Sequence, residues 1–250
     1  MKTIFKIHIL YYIIAGICII TGLFKDFIII SALTFIHEIG HITGAYLYKW
    51  KIDKVVILPF GGVTIFDENL NRPWIQEFVI LILGPIFQII FYEIIKYLNP
   101  NTHLLTTYHY SLLIFNFIPI IPLDGSKFLK LTLEKFLPFK LSYSIVIFFS
   151  FIIAIFILII SIIKINLTTI LLLIFLFKEI LNEYSKRNHR YNKFLLERYL
   201  FKLNFFKTKK IIGKKINNLK RDYKHIFYIE NKWVTEKELL KKIFDSKRNL

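Results

Sequence analysis

Cysteine is almost absent from this 250-residue chain. Cys18 is the single one, so no internal disulfide can form and the fold is not a stapled secreted scaffold. Nothing in that usage argues for an oxidising compartment, and helix packing has to hold the chain together. Acidic residues are scarce too, 17 Asp and Glu against 34 Lys and Arg, for a formal net charge of +17. No internal repeat and no low-complexity linker is visible. A small-x-small cleavage site is missing after the first apolar stretch, and Ile17 stands where a lipoprotein signal needs a small residue before Cys18. The stretch from Met1 to Phe24 is therefore expected to remain as a first transmembrane helix.

Apolar residues are what the chain has in quantity. The hydrophobic fraction is 55% and Phe alone supplies 26 residues, which excludes an ordinary soluble globule. Apolar runs of about 16 to 24 residues recur, each able to cross a hydrocarbon layer about 30 Å thick at about 1.5 Å per helical residue. After the first they cover Phe27 to Tyr48, Trp74 to Tyr97, His103 to Ile121, Leu141 to Ile163 and Ile165 to Tyr184. Between the second and third, Ile52 to Phe66 alternates β-branched residues around Pro59, Gly61 and Gly62, which predicts two short strands and a turn rather than a helix. The expected fold is an all-α membrane protein of about six transmembrane helices, with a β-hairpin-like re-entrant segment after the second and a small basic α/β tail.

Positive residues alternate between connecting segments as a cytoplasmic N-terminus requires. Lys2 and Lys6, then Lys49, Lys51, Lys54 and Arg72, then Lys127, Lys130, Lys135 and Lys140 fall inside; Lys25, Lys96 and Lys164 fall outside. Both termini are then cytoplasmic. The segment Ser185 to Leu250 holds 20 Lys and Arg against 6 Asp and Glu, so it carries most of the excess charge. That reads as a cytoplasmic tail able to bind anionic lipid, not as a nucleic-acid face, and it divides the chain into a membrane domain, 1–184, and a tail, 185–250. Within the tail, Lys224 to Phe244 reads as a strand, a turn at Glu230 and Asn231, and an amphipathic helix opened by Thr235.

His37-Glu38-Ile39-Gly40-His41 is the pattern HExxH inside the second apolar run. A four-residue spacing puts both imidazoles on one helix face, where they can share Zn²⁺, and Glu38 can reach a water polarised by the metal. Ionisable side chains inside a span cost on the order of 3 kcal/mol each and are kept mainly for function. A third ligand is needed, and Asp124 supplies it where Pro119 and Pro122 break the end of the fourth run. Asn116, deeper in that run, can orient substrate or donate to an oxyanion without bringing charge into lipid. His8, His103, His109, His189 and His225 lack a partner at metal-pair spacing and receive no role. Glu77, Glu93 and Glu179 are expected to snorkel or pair with lysines.

These residues resemble the site-2 protease family of intramembrane zinc metalloproteases, whose hallmarks are HExxH in one transmembrane helix and an Asn-to-Asp-Gly motif in a later one. LPFGG at Leu58 to Gly62, NRP at Asn71 to Pro73, Gly84-Pro85, PLDG at Pro122 to Gly125 and FLLERY at Phe194 to Tyr199 narrow the likeness to the family's sporulation branch, in collinear order over roughly residues 1 to 200. The resemblance implies cleavage of a membrane-associated sigma-factor precursor, control by membrane inhibitor or regulator proteins, and residence in the mother-cell membrane around the forespore. It leaves room for an oligomer. Two departures stand out: Ser126 follows Gly125 where a second glycine is usual, and the tail is shorter than the family's regulatory CBS domain, of which it resembles only a part. Two rivals remain open at this point. One is a membrane-anchored HExxH peptidase with another substrate and a Glu as third ligand; the other is a non-proteolytic zinc-binding membrane adaptor, in which Glu38 has no special role.

Overall fold

The computed structural model describes residues 4–7, 9–58, 61–66, 70–164, 167–201, 203–205 and 207–246. Lys2, His8, the turn at Pro59 and the Ile165–Asn166 boundary lie outside the described residues. The chain begins with a strand, β1 (Ile4–Ile7), and a short apolar helix, α1 (Ile9–Ile20), followed by α2 (Phe24–Leu47). The paired strands β2 (Ile52–Leu58) and β3 (Gly61–Phe66) come next, then α3 (Trp74–Leu98) and α4 (His103–Phe117). After the proline-containing break run α5 (Asp124–Phe136), α6 (Phe139–Ile163) and α7 (Leu167–Leu200). The tail contributes β4 (Lys207–Ile212), β5 (Tyr223–Ile229), β6 (Lys232–Thr235) and α8 (Glu236–Ser246).

Among the described residues, three helices, α2, α3 and α6, are long and apolar enough to cross a membrane, with 24, 25 and 25 residues. The sequence reading expects about six. The first expected helix is shortened because Ile4 to Ile7 pair in parallel with Lys54 to Ile57, leaving α1 with 12 residues, about 18 Å of helix. α4 stops at Phe117 with 15 residues, just before Pro119, whose ring cannot accept a helix on its N-terminal side. α7 runs unbroken for 34 residues, past the expected end at Tyr184 and into the basic segment.

The chain falls into two compact units, interleaved in sequence. The first comprises Met1–Glu68, Ile75–Ile118 and Leu123–Gly125. Its sheet has the order β1-β2-β3, with β1 parallel and β3 antiparallel to β2, so the expected hairpin is present and gains an N-terminal strand. β2 and β3 lie against α2, and α2 packs on α4. Its core joins Leu33 of α2, Tyr92 of α3, and Leu105 and Leu112 of α4, all buried.

The second unit comprises Asn69–Trp74, Pro119–Pro122 and Ser126–Leu250. α6 and α7 pack against each other, and α6 buries the small residues Ser142, Ser150, Ala154 and Ser161, of which Ser150 accepts from the Ile121 amide at 3.2 Å at the proline-containing break. The tail forms a sheet of order β4-β5-β6. Glu230 and Asn231 both have positive φ, 50° and 60°, which matches the right-handed twist of the hairpin they close. Thr235 opens α8 as expected and does so reciprocally: its Oγ1 accepts from the Glu238 amide at 3.3 Å, and Glu238 Oε2 accepts from the Thr235 amide at 3.2 Å. Phe139, Phe194, Leu219, Phe227 and Leu240 centre an apolar core that includes the tail.

A buried polar network surrounds that core. Arg198 pairs with Glu236 and donates to Asn71 Oδ1 at 2.9 Å and to the Arg221 carbonyl at 3.0 Å. Asn71 in turn donates to Glu197 Oε2 at 2.9 Å, so NRP and FLLERY are joined in space. Arg221, 2% exposed, donates to Glu134 Oε2 at 3.0 Å. His225 Nε2 accepts from the Lys220 amide at 3.1 Å, which leaves the Nδ1 proton for Glu236 Oε2 at 3.2 Å. Burial holds the His225 pKa below its ordinary value. For Glu236 burial acts upward, but bonds from His225 and Arg198 outweigh it and the net direction is down. This wiring shows why basic residues here do not all face solvent.

Candidate active site

The second apolar run folds as a helix because it is uninterrupted by proline from Phe24 to Leu47, and it carries His37, Glu38 and His41 buried near its middle. Ligand-capable atoms of these three residues lie within 4.8 Å of one another. Asp124 sits at the first turn of α5, 8% exposed, and its Oδ2 is 3.0 Å from His37 Nε2 and 2.9 Å from His41 Nε2. The sequence-predicted quartet is thus brought together within one unit. Asn116 is half-buried near the end of α4, and its side chain makes no hydrogen bond among the described residues.

Polar contacts behind the imidazoles aim them. His41 Nδ1 is 2.8 Å from the Ile80 carbonyl, which can only accept, so the proton is on Nδ1 and the Nε2 lone pair faces Asp124. His37 Nδ1 is 2.9 Å from Gln88 Oε1. Lone pairs on nitrogen converging on a carboxylate oxygen repel unless a cation or added protons lie among them, and two imidazoles with one carboxylate are the donor set of a zinc site with an open position. The residues present therefore fit Zn²⁺.

Two glycines leave room for this cluster. A Cβ on Gly84 would lie 2.4 Å from His41 Cε1 and 2.9 Å from His37 Nε2, so α3 reaches the imidazoles only because that position has no side chain. A Cβ on Gly62 of β3 would lie 2.3 Å from Glu38 Cγ. Two residues along the same strand, Thr64 Oγ1 donates to Glu38 Oε2 at 2.6 Å. Glu38 Oε1 makes no hydrogen bond among the described residues. The arrangement sets a group of side chains able to hold a metal beside a further carboxylate, a combination suited to metal-assisted hydrolysis.

Gln88, Thr64 and the Ile80 carbonyl are site groups the sequence reading did not single out. Gln88 had a detectable signal, being an amide inside the apolar run of α3 one turn after Gly84, where a polar side chain needs a reason. Thr64 had none, since threonine is ordinary in a strand. His109, given no role from sequence, is 2% exposed and stacks on Tyr92 with ring centroids 4.1 Å apart.

Known proteins match on these same regions. The family model described as peptidase family M50 matches residues 26–100. Stage IV sporulation protein FB of Bacillus subtilis is 33% identical over 210 residues, which is 80% of this chain and 73% of that protein. A zinc metalloprotease of Methanocaldococcus jannaschii is 29% identical over 158 residues, 60% of this chain and 47% of that one. Among solved structures, a site-2 protease from the same archaeon superposes with a TM-score of 0.61 at 25% identity, over 73% of this chain and 93% of that one.

Proposed function

Because the chain belongs to peptidase family M50, the site-2 proteases, and is a membrane zinc metallopeptidase, we propose that His37, His41 and Asp124 hold its zinc and that Glu38 is its general acid-base. The observation that carries this reading is the convergence of His37 Nε2 and His41 Nε2 on Asp124 Oδ2, at 3.0 and 2.9 Å, with Glu38 buried alongside. Zn²⁺ supplies Lewis acidity toward a water and a scissile carbonyl when bound. Glu38 Oε1, the oxygen left over from the Thr64 bond, takes the water proton and passes it to the leaving amine. Asn116 donates its amide to substrate from the α4 side.

The substrate lies extended. β3 is an edge of its sheet among the described residues, and an unpaired strand edge accepts a peptide backbone in register while presenting it to Glu38 beside Gly62 and Thr64. The resemblance to the sporulation branch implies a membrane-associated sigma-factor precursor as the substrate, a mother-cell membrane location and membrane inhibitor or regulator partners, and the 33% identity to a protein named for stage IV of sporulation supports that branch. Both termini are assigned to the cytoplasm on the distribution of Lys and Arg, and the parallel pairing of β1 with β2 is consistent with the N-terminal strand and the strand that follows α2 lying on one side. The outer face of the tail sheet, with Lys210, Lys224, Ile212 and Trp233 exposed, suits an anionic lipid surface, where basic and aromatic side chains act together.

The test is reconstitution. Full-length protein in lipid vesicles should cleave a membrane-tethered sigma-factor precursor, lose that activity to a zinc chelator and regain it with added Zn²⁺. Cleavage indifferent to the chelator contradicts the zinc reading. Cleavage of unrelated tethered proteins at equal rates contradicts the substrate assignment alone.

A further inference from the structure

Gln88 is 1% exposed and bonds in two directions. Its Nε2 donates to the backbone carbonyl of His109 at 3.2 Å, and its Oε1 lies 2.9 Å from His37 Nδ1. A main-chain carbonyl only accepts, so the amide nitrogen must face His109 and the amide oxygen must face His37. An oxygen there accepts, which puts the imidazole proton on Nδ1. A neutral imidazole has one N–H, so Nε2 is left with its lone pair directed toward Asp124 Oδ2 at 3.0 Å. His41 reaches the same state through the Ile80 carbonyl, without a side chain.

The carbonyl that sets Gln88 is itself held in place. His109 stacks on Tyr92 with an interplanar angle of 9°, and Tyr92 Oη is 3.2 Å from Thr106 Oγ1, so α3 and α4 are clamped one turn from the Gln88 contact. We propose that Gln88 is a positioning residue that fixes the Nδ1–H tautomer of His37 and thereby sets the affinity of the metal site, with the α4 backbone at His109 as its anchor. The inference rests on the reading of His37 as a zinc ligand. Partners that orient a ligating imidazole are typically worth about 10- to 100-fold in metal affinity.

The test uses the full-length protein in nanodiscs, with zinc affinity measured by competition against a chromophoric chelator and the cobalt(II) absorption spectrum recorded beside it. Gln88→Met keeps the length of the side chain and removes both the acceptor for His37 and the donor to the His109 carbonyl; Gln88→Glu keeps the acceptor and gives up the donor. The expected result is zinc affinity about 10- to 100-fold weaker in Gln88→Met with altered cobalt bands, and a smaller loss in Gln88→Glu, which keeps the acceptor for His37 but not the bond to His109. Equal loss in both variants, together with a lowered thermal transition of the zinc-free protein, means a packing role and overturns the proposal. Unchanged affinity in Gln88→Met overturns it as well, and His37→Ala tells the two failures apart. If His37→Ala loses zinc, only the positioning role fails; if it does not, the zinc-ligand reading fails with it.

Discussion

Thr64 Oγ1 donates a 2.6 Å hydrogen bond to Glu38 Oε2, so the second residue of HExxH is held by the strand at the edge of the sheet. That bond leaves one carboxylate oxygen for proton transfer and links the proposed substrate-binding edge to the proposed base. Thr64→Val keeps the strand and the shape but removes the donor. Cleavage should fall on the order of tenfold with zinc content unchanged, because general acid-base efficiency depends on where the carboxylate points. Initial rates beside metal analysis check it.

Gly84 tests the fit of α3 against the cage. Gly84→Ala places a carbon 2.4 to 2.9 Å from the two imidazoles and should displace them, lowering zinc affinity and cleavage by at least about tenfold. Gly16→Ala, where a Cβ meets nothing within 4 Å, should change neither. Chelator competition on the two variants reads the difference.

The tail network predicts an acid limit to stability. His225 is held below its ordinary 6.5 and Glu236 below its ordinary 4.5, so the unfolded tail binds more protons than the folded one as pH falls. Their contribution is complete above about pH 6.5, declines first as His225 takes up a proton in the unfolded state, and is lost further below about 4.5 with Glu236. Protection of β5 amides from hydrogen exchange, corrected for intrinsic rates, should follow that profile. Glu236→Gln should lower protection at neutral pH and flatten the acid part of the curve.

Lipid binding by the tail predicts a salt effect. In vesicles with anionic lipid, acrylamide should quench Trp233 less than in zwitterionic vesicles, and the difference should shrink as salt exceeds roughly 0.15 M, where charges are screened beyond about 8 Å. Lys210→Glu with Lys224→Glu should abolish it. Equal quenching in both lipids contradicts a membrane-facing role for the tail sheet.

Much of this architecture is legible in sequence for definite reasons. HExxH survives as a local pattern because its ligands are on one helix, and Asp124 stands out because two prolines break an apolar run just before it. The β2–β3 pair announces itself through alternation and paired glycines. β1 does not, because IFKI reads equally well as the start of an apolar helix and only its pairing with Lys54 to Ile57 makes it a strand. β4 is hidden similarly: KTKKII looks like solvated charge, and its single buried residue, Ile211, is apparent only once the tail core exists. The Arg198 network is beyond sequence reading altogether, since Arg198 alone bonds to a residue 127 positions away, Asn71.

The central claim is that one site holds zinc through His37, His41 and Asp124 and moves protons through Glu38, and paired measurement of bound zinc and cleavage in Glu38→Gln and Asp124→Ala tests it most directly. An amide at position 38 keeps the shape of the side chain and cannot act as a base, whereas loss of a ligand acts on the metal itself. Glu38→Gln should retain near-stoichiometric zinc and lose cleavage by roughly 10²- to 10⁴-fold or more. Asp124→Ala should lose both, while Asp222→Ala, an exposed tail carboxylate, should lose neither. Near-normal cleavage by Glu38→Gln, or undiminished zinc in Asp124→Ala, contradicts the account.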